Sequence, residues 1–300
     1  MADSPAAERT LAEDEVRELV RTVSPRLASL PLTRVAEGWD NVTWRLGTDL
    51  AVRVPRRELA ATLIRHEHRA LPQLAMRLAA AGVRAPLPVV AGAPTSTFPW
   101  SWSIVPWLPG EHVLGLPRHR NTVWAGQLAT VLSVLHQPAP DDAPHNPVRG
   151  VPLRSRDDSI RSRLAELPPR VATPLAVLWE AGLDAAPAAE SVWIHGDLHP
   201  GNILADGDRL VALVDFGDVT AGDPAYDLAA GWLVFDAEGR HVFRRATADR
   251  YDEATWLRAR AWAAAVSAIL CHASDDRDDL RAVGFDTAAE LISAAGSPAP

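Results

Sequence analysis

The stretch Ile194-His195-Gly196-Asp197-Leu198-His199-Pro200-Gly201-Asn202-Ile203-Leu204, with Leu213-Val214-Asp215-Phe216-Gly217-Asp218 after it, decides the reading of this chain. Two apolar runs, Ile203-Leu204-Ala205 and Leu210 to Val214, flank Asp206-Gly207-Asp208, a strong signal for a tight β-hairpin. Such a hairpin gathers Asp197, Asn202 and Asp215 at one end of a two-stranded ribbon. Carboxylate and carboxamide oxygens suit a hard cation such as Mg²⁺, which keeps waters and takes further ligands from a nucleotide triphosphate. A carboxylate beside that cation can accept an alcohol proton.

Working outward, the chain before the ribbon is rich in short β-forming runs. Asn41 to Leu46 and Leu50 to Val54 read as strands joined by Gly47-Thr48-Asp49, where Gly47 can supply the positive φ of a hairpin. Thr10-Leu11-Ala12-Glu13 has capping-box spacing, and Val16, Leu19, Val20 and Val23 follow at i, i+3, i+4 and i+7, which predicts an amphipathic helix. From Glu58 to Ala80, Leu59, Leu63, Ile64, Leu71, Leu74 and Leu78 recur at helical spacing, while Pro72 predicts a break and a second helical piece. Pro86 to Ala91 and Trp100 to Val105 are expected strands. Pro106-Trp107-Leu108-Pro109-Gly110 holds too much proline to continue a strand and reads as a connector between lobes.

Asn121 to His136 carries Val123, Trp124, Leu128, Val131, Leu132 and Leu135 at helical spacing, and a Pro/Asp-rich loop, Gln137 to Pro147, follows. Helices dominate beyond it. The expected organisation is α+β: a small β-rich N-terminal lobe over residues 1–106 and a larger helical lobe over 107–300 that carries the polar hairpin.

Composition narrows the chemistry. All 30 basic residues among the 300 are Arg, so mechanisms that need a lysine are excluded: the Walker A loop, pyridoxal phosphate Schiff bases and Ser-x-x-Lys hydrolases. A net charge of −8 with no long basic run argues against nucleic acid. The lone Cys271 lies in an apolar helical context and reads as core in a reducing compartment. The N-terminus has neither a basic nor an apolar leader region, and no stretch reaches the ~18 to 20 apolar residues of a membrane span, so a cytoplasmic location without membrane partners is expected.

The central stretch resembles the kinase catalytic loop, His-Arg-Asp-x-x-x-x-Asn then Asp-Phe-Gly, in the His-Gly-Asp-x-His-x-x-Asn variant of the aminoglycoside phosphotransferase family. Gly222-Asp223-Pro224-Ala225-Tyr226-Asp227 and Gly38-Trp39-Asp40-Asn41 are similar to that family as well. The resemblance implies a bilobal protein-kinase-like fold. It also implies Mg²⁺-dependent transfer of the γ-phosphoryl of ATP or GTP to a small-molecule hydroxyl, most directly on an aminoglycoside antibiotic. Residue by residue, it makes Asp197 the catalytic base or hydroxyl-orienting carboxylate, and Asn202 and Asp215 the Mg²⁺ ligands. His195 would tie the catalytic loop to the Asp-Phe-Gly strand, and Asp227 would buttress that loop through backbone hydrogen bonds, while Asp223 caps a helix begun by Pro224. Arg53 stands where kinases carry a phosphate-binding Lys, with Glu67 as its helical partner. Asn41 would meet phosphate, and the Pro106 carbonyl and Leu108 amide would meet adenine.

Other readings compete. His195, Asp197 and His199 could form a hydrolytic metal site, which leaves Asn202 and Asp-Phe-Gly unexplained. The loss of lysine at position 53 could mark a pseudokinase or nucleotide-binding module, against the intact Asp197, Asn202 and Asp215. Trp107 and Trp232 are the tryptophans expected near the cleft, and the acidic run Asp275 to Asp279 is a solvated segment that could attract a polycation. For the acceptor, an acidic pocket in the helical lobe would point to an aminoglycoside and a wide apolar groove to a macrolide, with a metabolic alcohol as a third case.

Overall fold

In a computed structural model of the chain, the described residues are 6–247, 250–272 and 277–295. Asp275 and Asp276 of the acidic run lie outside them. The first half contains α1 (Glu13–Val23), the short α2 (Pro25–Ala28), β1 (Leu32–Glu37), β2 (Asn41–Leu46), β3 (Leu50–Pro55), α3 (Glu58–Ala80), β4 (Val90–Gly92) and β5 (Trp102–Pro106). Alternation along β2 turns Val42, Trp44 and Leu46 inward, and Gly47, at φ +61°, lets Leu46 pair with Leu50 across the expected hairpin. The antiparallel sheet runs in the order β1-β2-β3-β5-β4. Val16, Leu19 and Val20 of α1 share a core with Trp44, Val52, Phe98, Trp102 and Ile104.

Beyond the connector come β6 (Glu111–His112), a 3₁₀ turn at Arg118–Trp124, α4 (Ala125–Leu135), α5 (Asp157–Ala165), α6 (Pro169–Asp184), β7 (Val192–Ile194), β8 (Ile203–Asp206), β9 (Arg209–Leu213) and β10 (Thr220–Gly222). The chain ends with α7 (Ala225–Leu228), α8 (Ala230–Leu233), α9 (Ala237–Ala246), α10 (Glu253–His272) and α11 (Asp278–Ala295). Ala-rich α10 is buried on most of its faces because methyl side chains let α6 come close: a Cβ on Gly182 would sit 2.2 Å from that of Ala261. Leu128, Leu132, Leu175, Trp179 and Trp262 fill this second core, each contributing about 2 kcal/mol relative to exposure.

Several expectations are corrected. Helix α1 begins at Glu13, and it is Glu15 whose carboxylate accepts the Ala12 N–H at 2.8 Å, so the Thr10–Glu13 box does not form; Val23 is exposed. Helix α3 runs unbroken through Pro72. Its first half packs on the sheet, while Ala70, Leu71, Leu74 and Leu78 enter the second core, and burial on both sides of the proline holds one axis despite the lost hydrogen bond. Only Val90 and Ala91 of the Pro86–Ala91 segment join a strand, since Pro86 and Pro88 have no N–H to give. The Asn121–His136 helix starts as a 3₁₀ turn and becomes α-helical at Ala125. Trp232 is a core residue, buried and facing Trp256, while Cys271 is buried as expected. Among the described residues no helix is long and apolar enough to cross a membrane.

Candidate active site

Backbone pairing sets the two sides of the cleft. Trp107 N–H donates to the Asp49 carbonyl at 2.8 Å, which puts the Leu50–Pro106 pair in the non-hydrogen-bonded register. Proline fits there, and the Pro106 carbonyl faces away from β3. Pro106 and Leu108 both line a cleft of ≈ 890 Å³, together with Ala51, Val105, Leu204 and Val214. Trp107 also lines it, with the Arg45 guanidinium 3.9 Å from its ring centroid. From the connector the chain passes to β6, which pairs with β8.

The β8–β9 hairpin forms in the expected place, Ile203 opposite Leu213, and its open end carries the polar residues. Asn202 donates from Nδ2 to the Asp197 carbonyl at 2.8 Å and to Asp197 Oδ2 at 3.3 Å. With its NH₂ so engaged, the amide oxygen is the end of Asn202 that can serve a cation. Asp215 is the one non-glycine residue at positive φ among the described residues, +60°, and its half-exposed carboxylate lines the cleft. Strain of this kind persists where the surroundings over-determine a functional side chain. An exposed carboxylate beside an amide oxygen fits a hard, water-keeping divalent cation.

Behind this pair, Arg53 on β3 reaches across to α3 and to the hairpin. Its Nη1 donates to both oxygens of buried Glu67, at 2.7 and 2.6 Å, and its Nη2 to Asp215 Oδ1 at 3.0 Å. Burial alone would pull the guanidinium pKa down, but Glu67 and then Asp215 hold it above the ordinary arginine value. Asn41 lines the cleft at the β1–β2 turn, and its amide oxygen is buried without a hydrogen-bond partner among the described residues.

His195 is fully buried, which pushes its pKa down. Nε2–H donates to the Val214 carbonyl at 3.0 Å and Nδ1 accepts the Asp197 N–H at 3.3 Å, so both ring nitrogens are taken within the protein. The alternative His195/Asp197/His199 metal set is therefore not assembled, and no cluster of three or more such ligands exists among the described residues. Asp227, also fully buried, accepts the His195 N–H at 2.7 Å, the Gly196 N–H at 3.0 Å and His136 Nε2–H at 3.1 Å. Gly196 has no alternative: at φ +82°, a Cβ would lie 2.3 Å from the Asp218 carbonyl oxygen. Asp223 accepts the Ala225 N–H at 3.0 Å and pairs with buried Arg258 at 2.6 Å.

Sequence reasoning missed Arg149. This residue lies in the loop between α4 and α5, and lines the cleft. Its Nη2 contacts Asp197 Oδ1 at 3.2 Å and Asp218 Oδ2 at 3.4 Å, and its Nη1 donates to the Tyr226 hydroxyl at 2.6 Å. Burial raises the Asp197 pKa, but Arg149 and then His199 overcome it and hold the carboxylate well below its usual range. Burial wins at Asp218, pushed up to about 6 despite Arg149. No local motif announces Arg149. The only signal was Gly150, whose φ of +62° and tight fit against Ile194 and Gly222 clamp the loop to β7 and β10.

A small antiparallel sheet with one long helix, joined by a connector to a helical body whose hairpin bears these residues, defines the bilobal kinase-like phosphotransferase class. The chain belongs to the phosphotransferase enzyme family (APH), whose profile matches residues 31–262. Among solved structures, it is similar to the GDP complex of aminoglycoside 2'-phosphotransferase-IIIa (TM-score 0.73, 17% identity, covering 95% of this chain and 100% of that one). It is also similar to the GDP and kanamycin complex of APH(2")-IIIa (TM-score 0.71, 17% identity, 94% and 99%). The macrolide 2'-phosphotransferase MphH from Brachybacterium faecium, as apoenzyme, matches at TM-score 0.62 and 22% identity, covering 95% and 99%. At these identities the likeness is one of fold. No match is found among curated proteins.

Proposed function

We propose that the protein transfers the γ-phosphoryl group of ATP or GTP to a hydroxyl of a small molecule, residues 1–106 forming the nucleotide-binding lobe and 107–300 the lobe that carries the catalytic hairpin and the acceptor site. The observation that carries this reading is the convergence of Asp197, Asn202 and Asp215 on one cleft with the Arg53–Glu67 pair behind them. The base would stack between Ala51 and Leu204 and meet the Pro106 carbonyl and the Leu108 amide, and Arg53 and Asn41 would meet phosphate oxygens. Asn202 and Asp215 would hold Mg²⁺, which when bound supplies charge neutralisation on the β and γ oxygens. Asp197 accepts a hydrogen bond from the acceptor hydroxyl and aims its oxygen lone pair at phosphorus. The acceptor O–P bond forms as the bond to the β–γ bridging oxygen breaks, releasing nucleoside diphosphate. The hydroxyl proton goes to Asp197 or to the transferred phosphate as the new bond completes. Catalysis rests on positioning and electrostatics.

The acceptor wall favours an apolar scaffold. Leu198, Leu233, Val266, Ile269, Leu270 and Leu280 line it. Arginines face its acids: Arg149 lies between Asp197 and Asp218, at 3.2 and 3.4 Å, and Arg277 pairs with Asp279 at 2.8 Å. With two arginines against three carboxylates, a polycation would find a single unbalanced negative charge among these residues, whereas a hydroxylated macrolide-like molecule would bury apolar area. The test offers Mg-ATP and Mg-GTP with macrolides, aminoglycosides and small metabolic alcohols, and detects the phosphorylated product by mass. Transfer to an apolar acceptor is expected; transfer confined to aminoglycosides would overturn the acceptor assignment and leave the reaction class in place.

A further inference from the structure

The Asp197 carboxylate is gripped from both ends by groups from different parts of the fold. Oδ2 faces Asn202 Nδ2 at 3.3 Å and His199 Nε2 at 3.5 Å, both within the catalytic stretch. Oδ1 faces Arg149 Nη2 at 3.2 Å, delivered from a loop remote in sequence. That loop is built rigidly. Asn146 Oδ1 accepts the N–H groups of Val148 and Arg149 at 3.0 and 3.1 Å, and the Asn146 N–H donates to Thr220 Oγ1 on β10 at 3.2 Å. Asp223 N–H donates to the Gly150 carbonyl at 2.9 Å. One guanidinium thus stands between two carboxylates, Asp197 and Asp218, in a partly buried setting where they would otherwise repel.

We infer that Arg149 is a positioning residue for phosphoryl transfer: a guanidinium supplied from the loop before α5 that fixes the Asp197 carboxylate toward the acceptor hydroxyl and shields it from Asp218. This rests on the reading of Asp197 as the hydroxyl-orienting group. Arginine suits the task because its planar fork meets Asp197 and Asp218 through Nη2 while Nη1 holds Tyr226, which a lysine point charge cannot do at once. Removing the guanidinium lets Asp197 swing away from Asp218. Removing the Asp218 charge as well relieves that repulsion.

The test compares wild type, Arg149→Met, Arg149→Lys, Asp218→Asn and the double variant Arg149→Met/Asp218→Asn. The readout is Mg-ATP and Mg-GTP hydrolysis, with water as the acceptor hydroxyl, and transfer to whichever panel acceptor is used by the wild type. Arg149→Met is expected to lower kcat on the order of 100-fold, the scale of a misplaced catalytic group. Its nucleotide KM should stay within about two-fold of wild type, since no contact toward the connector is lost. Arg149→Lys should recover part of the loss, and the double variant should be faster than Arg149→Met alone. A kcat for Arg149→Met within about three-fold of wild type would overturn the inference. So would a loss that follows the melting temperature and is not relieved in the double variant, which marks a purely structural role. Asp197→Asn, run alongside, separates the two readings: if it is inactive while Arg149→Met is fully active, only the Arg149 inference fails, and if it is fully active, the reading of Asp197 fails.

Discussion

Arg53 holds Glu67 by both carboxylate oxygens from a single nitrogen, Nη1, at 2.7 and 2.6 Å, with the Glu67 side chain almost wholly buried. Breaking such a pair from one side leaves a buried charge without its partner, so Arg53→Met should cost about 3 to 5 kcal/mol. Arg53→Lys keeps a charge on Glu67 but cannot also reach Asp215, and should cost less stability while raising the nucleotide KM. Urea unfolding of both variants, with nucleotide titrations, checks the order; equal stability in Arg53→Met and wild type would contradict it.

Asp227 accepts two backbone N–H groups on opposite oxygens, and the amide of Asp227→Asn can accept only one of them. The other N–H would face an NH₂ group in a buried site. A loss of about 1 to 3 kcal/mol is expected, with a fall in kcat as the catalytic loop shifts. Thermal melts and steady-state kinetics measure both, and an unchanged melting temperature would refute the buttress.

Gly196 and Gly115 share φ +82°, yet only Gly196 is crowded, 2.3 Å from the Asp218 carbonyl against open space at Gly115. Gly115→Ala should cost only about 1 kcal/mol, the strain of the backbone region itself. Gly196→Ala should cost more and should also displace Asp197. Similar losses in the two variants, measured by denaturant unfolding, would show that the close approach carries no weight.

Asp218 gives a pH signature. Its pKa, about 6 in the folded protein against an ordinary 3.8, means that the folded form keeps a proton between roughly pH 4 and 6 that the unfolded chain gives up. This residue therefore makes the fold more stable as pH falls from 6 toward 4, by up to about 3 kcal/mol at ~1.4 kcal/mol per pH unit. Asp197 acts oppositely: its depressed pKa stabilises the fold above the ordinary carboxylate value, and that stability is lost as pH falls below it. The wild-type minus Asp218→Asn difference in unfolding free energy should therefore rise as pH falls from 7 to 4.5. A flat difference would contradict the assignment.

The hairpin of residues 203–213 and the β2–β3 hairpin were legible because short apolar or β-forming runs flank a turn signal, at Gly207 and Gly47, that agrees with them locally. The division into a β-rich and a helical lobe came from these local patterns, and the bilobal kinase-like fold from the resemblance of the catalytic stretch to the aminoglycoside phosphotransferase family. What escaped was set by distant parts of the chain. Pro72 looks like a break until packing on both sides of it is known, and β7 and β10, three residues each, are strands only because they find each other. Arg149 meets Asp197 through the loop's attachment to β10, a relationship that no local pattern encodes.

The most direct measurement is single-turnover transfer of a labelled γ-phosphoryl group from Mg-ATP or Mg-GTP to an accepted hydroxyl compound, comparing wild type with Asp197→Asn at matched melting temperature. With a side chain that still fits but no longer presents a carboxylate to the hydroxyl, transfer should fall on the order of 1000-fold while nucleotide binding is kept. Transfer by Asp197→Asn at the wild-type rate would contradict the assignment of this site as the centre of phosphoryl transfer.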